Sequence, residues 1–212
     1  IGALFILFIK DLPKNNNLNS QYVAIFTSLA NLILSIYLWI SFDPHTSEFQ
    51  FVETREWLKG FIDYKLGIDG ISILFILLTT LIIPICIFSV ISSIKIRLKE
   101  FLVTLLILET LMIGVFCSLD LLIFFLFFEG GLIPMFLIIG IWGGPKRVYS
   151  AFKFFLFTLF GSIFLLTAII FIYWTQGTTD IELLLESIIP YQYQYLLWLA
   201  FFSSFAVKMP MW

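Results

Sequence analysis

Long apolar stretches separated by short polar ones divide this chain, and the length of each stretch limits what it can be. A helix that crosses a membrane needs about 20 mainly apolar residues. Residues 21–42 supply one such stretch and residues 71–94 a second, opened by Asp69 and Gly70 as a helix cap. Pro84 lies inside the second and predicts a bend whose freed carbonyl is satisfied by neighbouring helices. Residues 101–142 are apolar almost throughout. As one helix they would be roughly 60 Å long, about twice the hydrocarbon thickness. They therefore predict two spans, with the turn near Asp120. Residues 151–174 make the next span, and 191–212 begin another. Residues 1–9 are too short to cross and read as the end of a helix. The pattern predicts an all-α integral membrane protein with about six to seven membrane helices in one membrane domain, 1–212.

The polar intervals carry less regular signals. Phe49, Phe51 and Glu53 alternate loosely with Gln50, Val52 and Thr54, which predicts a short strand or hairpin on the membrane surface within 43–70. Residues 175–190 read as a loop with a turn or two of surface helix. Basic residues are distributed unequally. Lys10, Lys14, Lys95, Arg97, Lys99, Lys146, Arg147 and Lys153 follow the first, third and fifth spans, whereas the other side holds Arg55, Lys59 and Lys65. The positive-inside bias puts the first set in the cytoplasm or mitochondrial matrix. The loop 43–70 is then on the intermembrane or periplasmic side, with 175–190 beside it.

Composition agrees and excludes alternatives. Charged residues make up 12% of the chain and hydrophobic ones 61%, with a mean hydropathy of +1.06. A soluble domain carries roughly 25% charged residues, so a soluble enzyme and a disordered tail are excluded. The net charge of −2 offers no basic patch for nucleic acid. Cys86 and Cys117 sit in apolar runs and read as small buried hydrophobes, and His45 sits in a loop, so no metal site is legible. There is no glycine-rich phosphate loop after a strand.

Chemistry therefore rests on the few charges inside apolar runs. Glu109 lies in LLILETLMIGVF, Glu129 in LFFEGGLIPMF and Lys208 in FFSSFAVKMPM, with Asp120 at the expected turn. A charge at mid-bilayer costs several kcal/mol, and such residues mark ion or proton paths by default. Lys208 shares a helical stripe with Ser204 and Ala200, which points it into protein. Glu129 precedes Gly130 and Gly131, which would admit a neighbouring backbone. Pro134 follows Glu129 and Pro210 follows Lys208, so both helices are built to break their hydrogen bonding near a charge. Opposite charges on two such helices suggest a pair. The blander readings are a protonated Glu109 bonded to a carbonyl, Asp120 and Asp69 as helix caps, and Lys153 snorkelling to the interface.

The runs LGIDGIS (66–72), LETLMIGVFCSLDLLIFFLFFEGGLIPMFLIIGIWGG (108–144), QGTTD (176–180) and FFSSFAVKMPMW (201–212) resemble the subunit 4 family of respiratory NADH dehydrogenase, complex I. The resemblance runs from about residue 30 to the end. It implies an antiporter-like bundle built from inverted repeats, of which this chain covers the amino-terminal helices and most of the first repeat. It implies that another chain or segment completes the subunit, through a split gene or because this sequence is a piece. By the resemblance, Glu129 and Lys208 carry the first-repeat charged pair and Glu109 a further membrane glutamate in a proton relay driven by distant quinone reduction. The subunit would hold no cofactor, with NADH, FMN, iron–sulfur clusters and ubiquinone elsewhere in the complex. Its partners would be the other membrane-arm subunits and lipids. The abundance of Phe, Ile, Leu and Asn suits an A+T-rich mitochondrial gene and the mitochondrial inner membrane, with a bacterial inner membrane as alternative. The competing functions are a subunit of a multi-subunit cation/proton antiporter and a non-pumping helical scaffold.

Overall fold

A computed structural model describes residues 1–9, 18–58, 62–94, 96–209 and 211. Its elements, in chain order, are α1 (Gly2–Phe8), α2 (Leu18–Ser41), β1 (Gln50–Leu58), β2 (Ile62–Ile68), α3 (Ser72–Ser93), α4 (Leu98–Cys117), α5 (Leu121–Gly130), α6 (Leu132–Trp142), α7 (Arg147–Gln176), α8 (Ile181–Glu186) and α9 (Tyr191–Lys208). Five segments among the described residues are long and apolar enough to cross a membrane: 19–41, 72–93, 98–117, 121–142 and 147–176. They match the five complete spans read from the sequence. The remaining two helices of that reading fall short by this measure. α1 has seven residues. α9 has 18, and Tyr191, Gln192, Tyr193, Gln194 and Tyr195 make its first turns more polar.

The expected turn at Asp120 is an N-cap. Asp120 Oδ1 accepts from the backbone N–H groups of Leu122 and Ile123 at 2.8 and 3.1 Å, satisfying two donors that a helix start leaves open. Asp69 caps α3 through Ser72 N–H at 2.7 Å, while Ser72 Oγ accepts from Asp69 N–H at 2.9 Å. α3 runs on through Pro84, which is buried. Lys153 is exposed on α7. Its Nζ is 6.0 Å from the centroid of the Tyr149 ring, one turn earlier.

Apolar side chains face inward at helical spacing from α1, α2, α3 and α4. Ile6, Ala24, Ile83, Ile87, Leu102 and Leu106 form the main buried cluster, and Cys86 packs against it. Many large side chains, among them Phe26, Leu81 and Phe160, remain exposed, as expected of helices whose solvent is lipid. One polar link ties α2 to α3 inside the bundle: the Ser35 and Thr80 hydroxyls are 2.7 Å apart, both buried.

The polar loops collect at two ends. At one end β1 and β2 form the expected hairpin, pairing Thr54 with Lys65 and Arg55 with Tyr64. β2 continues into the α4–α5 turn through Leu119 N–H to Lys65 O at 3.0 Å. That turn pairs with the loop before α8 through Leu121 N–H to Thr179 O and Ile181 N–H to Leu119 O, both 2.9 Å. Side chains lock the same seam. Lys65 Nζ donates to Asp180 at 2.7 Å and also to Glu182, and Thr179 Oγ1 donates to Asp120 Oδ2 at 2.5 Å. Burial disfavours the Lys65 charge, but its hydrogen bonds and charge attraction to Asp180 and Glu182 outweigh that and raise its pKa. At the opposite end Lys99 Nζ donates to Ile9 O at 2.6 Å and Trp142 Nε1 to Ile96 O at 2.9 Å. The hairpin end thus lies away from Arg97, Lys99 and Arg147, the segregation that the lysine and arginine pattern predicts.

Candidate functional site

Gly131 interrupts the span that begins at Asp120. It sits between α5 and α6 at φ −60° and ψ −21°. Pro134, buried in the first turn of α6, has no N–H to return to the Gly130 carbonyl. The last four carbonyls of a helix lack partners within it, so α5 ends at mid-span with carbonyls to spare. Phe128 is among these residues. The expected close approach of a neighbouring backbone at the glycines is not found: a side chain at Gly130 would meet only Leu111 side-chain atoms. α9 comes close at Gly161 of α7, where an added Cβ would lie 2.8 Å from Val207 Cβ of α9. That glycine lets α9 bring Lys208, the next residue, against the end of α5. Phe205 of α9 packs edge-on to Phe124 and Phe128 of α5, at 6.4 and 6.0 Å between ring centroids, and fixes the register.

Lys208 is then surrounded by three electron-rich groups. Its Nζ donates to Phe128 O at 2.6 Å, lies 3.4 Å from the Phe128 ring centroid, and is 4.0 Å from Glu129 Oε2. The first contact places a cation on the negative end of a helix, and the second is a cation–π contact. The third is at the limit of an ion pair. Among the described residues neither Glu129 oxygen has a hydrogen-bond partner, although both oxygens are buried. Ser162 of α7 lies beside that carboxyl, with its own hydroxyl donated to Leu159 O at 2.8 Å. Ser204 Oγ is likewise buried without a partner. Charge-assisted N–H···O contacts close to about 2.8 Å, so a movement of about 1 Å separates the present arrangement from a bonded Glu129–Lys208 pair. Pro210, the second expected helix breaker, lies outside the described residues.

Glu109 is elsewhere, at mid-length of α4. It is 1% exposed, and its Oε1 accepts from Asn31 Nδ2 of α2 at 3.2 Å. Its Oε2 has no partner. The expected members thus fall into two places, Glu129 with Lys208 and Pro134 in one, Glu109 in the other. Asn31, Ser162 and the Phe128 carbonyl carry no charge that would mark them in the sequence. A lone asparagine in AIFTSLANLILS is the one signal that could have drawn notice, because polar residues bind helices to each other in membranes. Among the described residues no group of three or more His, Cys, Asp or Glu gathers as a metal site would require.

Known proteins resemble this chain in both sequence and fold. The family model described as NADH:quinone oxidoreductase/Mrp antiporter, TM, matches residues 118–212, which contain α5 to α9 and the Glu129–Lys208 site. NADH-quinone oxidoreductase subunit M of Rhodobacter capsulatus is 50% identical over 207 residues, 92% of this chain and 40% of that protein. NADH-ubiquinone oxidoreductase chain 4 of Marchantia polymorpha is 48% identical over 213 residues, 100% of this chain and 42% of that protein. In the structure of respiratory complex I from Thermus thermophilus with bound NADH, one chain superposes with a TM-score of 0.83 at 28% identity, over 99% of this chain and 42% of that one. This chain spans about two-fifths of the length of these relatives. By sequence along its length, by the family match and by a shared antiporter-like membrane fold, it is a homologue of subunit M/chain 4 of NADH:quinone oxidoreductases.

Proposed function

We propose that this chain forms part of a proton-translocating membrane-arm subunit of an NADH:quinone oxidoreductase, in a mitochondrial inner membrane. In this reading 1–212 is one membrane domain containing the amino-terminal helices and most of a first repeat, and a further segment or chain completes the subunit. The hairpin end faces the intermembrane space. NADH, FMN, iron–sulfur clusters and ubiquinone are handled by other subunits, and membrane-arm neighbours and lipids surround this one.

The observation that carries the reading is the partly buried acid and base at a helix interruption, Lys208 Nζ at 4.0 Å from Glu129 Oε2. A buried ammonium is tolerable while a carboxylate and a helix end face it. When quinone chemistry elsewhere draws Glu129 away, the charge loses its main compensation and Lys208 passes its proton to a neighbour across the bundle. Return of Glu129 restores the charged lysine. Glu109 serves as a linked site toward an adjoining subunit. The relatives' names favour this reading over a cation/proton antiporter, although the family model embraces both.

The test is proton-to-electron stoichiometry in sealed vesicles that carry the assembled complex with Glu129→Gln. A lowered ratio is expected. Wild-type stoichiometry would refute the pair as the working element and favour a scaffold role. Co-purification with antiporter subunits alone would favour the antiporter.

A further inference from the structure

α5 is a short helix with one loose end. It has ten residues, and the interruption at Gly131 separates it from α6, so its firm support is its beginning. That beginning joins residues far apart in the chain. Asp120 is 3% exposed and uses both carboxyl oxygens. Oδ1 caps Leu122 and Ile123, and Oδ2 accepts from Thr179 Oγ1. Thr179 is equally buried, and its carbonyl accepts from Leu121 N–H at 2.9 Å. One residue of the α7–α8 loop thus holds the start of α5 by main chain and side chain together. The chain reaches that point because α7 ends at Gly177, whose φ of 75° is the left-handed conformation that favours glycine.

Two fixed points then govern the charged pair. Near Lys208, α9 is seated on α7 at Gly161, and Phe205 packs on Phe124 and Phe128. Contact at one level leaves α5 able to pivot there. Asp120 and Thr179 supply a second level, at the far end of the helix. Glu129 is the ninth residue of α5, about 13.5 Å along it from Asp120. A hydrogen-bonded helix is stiff over that length, so a shift of its first turn reaches its last.

We propose that Asp120 and Thr179 form a latch that positions Glu129 opposite Lys208, by tying the start of α5 to the end of α7, on which α9 is seated. Loss of the Thr179 hydroxyl leaves a buried carboxyl oxygen without a donor, which is costly. Asp120 escapes that cost by turning toward water, and the cap of α5 goes with it. The latch deepens the proton-translocation reading and rests on it only for the use made of the pair.

The test reads Glu129 directly, from redox-induced infrared difference spectra of the complete complex in membranes. The Glu129 carboxyl band is identified by its loss in Glu129→Gln and the Glu109 band by its loss in Glu109→Gln. A carboxyl stretch follows the field of the nearest charge, so the first band reports the separation from Lys208. Thr179→Val is expected to shift the Glu129 band and leave the Glu109 band in place, and Thr179→Ser, which keeps the hydroxyl, to return it. Asp120→Ala is expected to shift it further, and Asp120→Asn, whose amide can both cap α5 and meet Thr179, to bring it part of the way back. Thr179→Ala is the second variant should native gels show that the valine blocks assembly. A Glu129 band unmoved in assembled Thr179→Val or Thr179→Ala overturns the latch. Glu129 and Glu109 bands that move together also overturn it, because the bundle has then loosened as a whole. A band shifted by Thr179→Val and returned by Thr179→Ser, with wild-type stoichiometry in Glu129→Gln, leaves the latch standing and overturns the relay reading alone.

Discussion

Two glutamates are buried in one helical bundle and are held in opposite ways. Glu129 sits at a helix end, with an ammonium 4.0 Å away and no hydrogen bond of its own. Glu109 sits within an unbroken helix, with a neutral amide on one oxygen and, among the described residues, no cation within ion-pair distance. Residue type is the same, but Glu109 is 1% exposed and the Glu129 side chain 20%, so the difference lies in depth and in what the neighbouring helices supply. α9 delivers Lys208 because Gly161 of α7 allows it to come close. α2 delivers only Asn31. A carboxyl facing a cation can work by changing distance, whereas a carboxyl facing a neutral amide has no opposite charge to approach or leave.

The comparison breaks first at Lys208. Lys208→Ala should lower both NADH–quinone turnover and pumping about tenfold or more, because a buried charge that loses its partner costs several kcal/mol. Lys208→Ala combined with Glu129→Gln should be no worse than the worse single variant, since the two act as one unit. A multiplicative loss in the double variant, with assembly verified on native gels, would show that the two act separately. Gly161→Val sharpens the contrast. Its added carbons collide with Val207 at a cost of about 1–3 kcal/mol, which should push α9 away, weaken coupling and leave the infrared band of Glu109 in place. A shifted Glu109 band in that variant would mean the two sites share one packing unit. Glu109→Gln should reduce turnover about threefold, less than Glu129→Gln does, because Glu109 has no opposite charge to orphan. The reverse ranking in membrane turnover assays would place the critical carboxyl in α4.

The smallest effect belongs to the hairpin end. Lys65→Met should lower stability by about 1 kcal/mol or less, since part of the Lys65 clasp is open to solvent. Its pKa is raised above the ordinary 10.5 in the folded protein. A raised lysine adds stability at every pH below its ordinary value and loses it as the pH climbs through the raised one. Melting temperatures of wild type and Lys65→Met should therefore differ by a constant amount from neutral pH to about 10.5 and converge above it. Convergence already at neutral pH would mean that Asp180 and Glu182 do not hold Lys65 in solution.

Much of this was legible from residue order, for a physical reason. Lipid has no hydrogen bonds to offer, so each span must be one apolar run, and the runs 21–42 and 71–94 foretell α2 and α3 to within a few residues. Asp120 marked the turn because 101–142 is too long for one span and a carboxylate can cap the helix that follows it. The three intramembrane charges stood out because a charge in lipid is costly. What stayed hidden depends on partners far apart in the chain or on the backbone itself. The Lys65–Asp180 contact joins residues 115 positions apart. Asn31 carries no charge and therefore no obvious cost. The Phe128 carbonyl is common to every residue type, and only the interruption at Gly131 makes it available. The backbone approach expected at Gly130 and Gly131 is not found there; α9 comes close at Gly161 through the Val207 side chain.

Phe128 O has a consequence for leakage. A carboxylate partner disappears whenever it takes up a proton, but a peptide oxygen is never used up in that way. Lys208 is moored to one permanent acceptor and one that comes and goes, with the permanent one at 2.6 Å. Its side chain can gain or lose charge without swinging loose into the bundle. Under the proposed relay, a carrier anchored through every stage cannot short-circuit by wandering from one side of the barrier to the other.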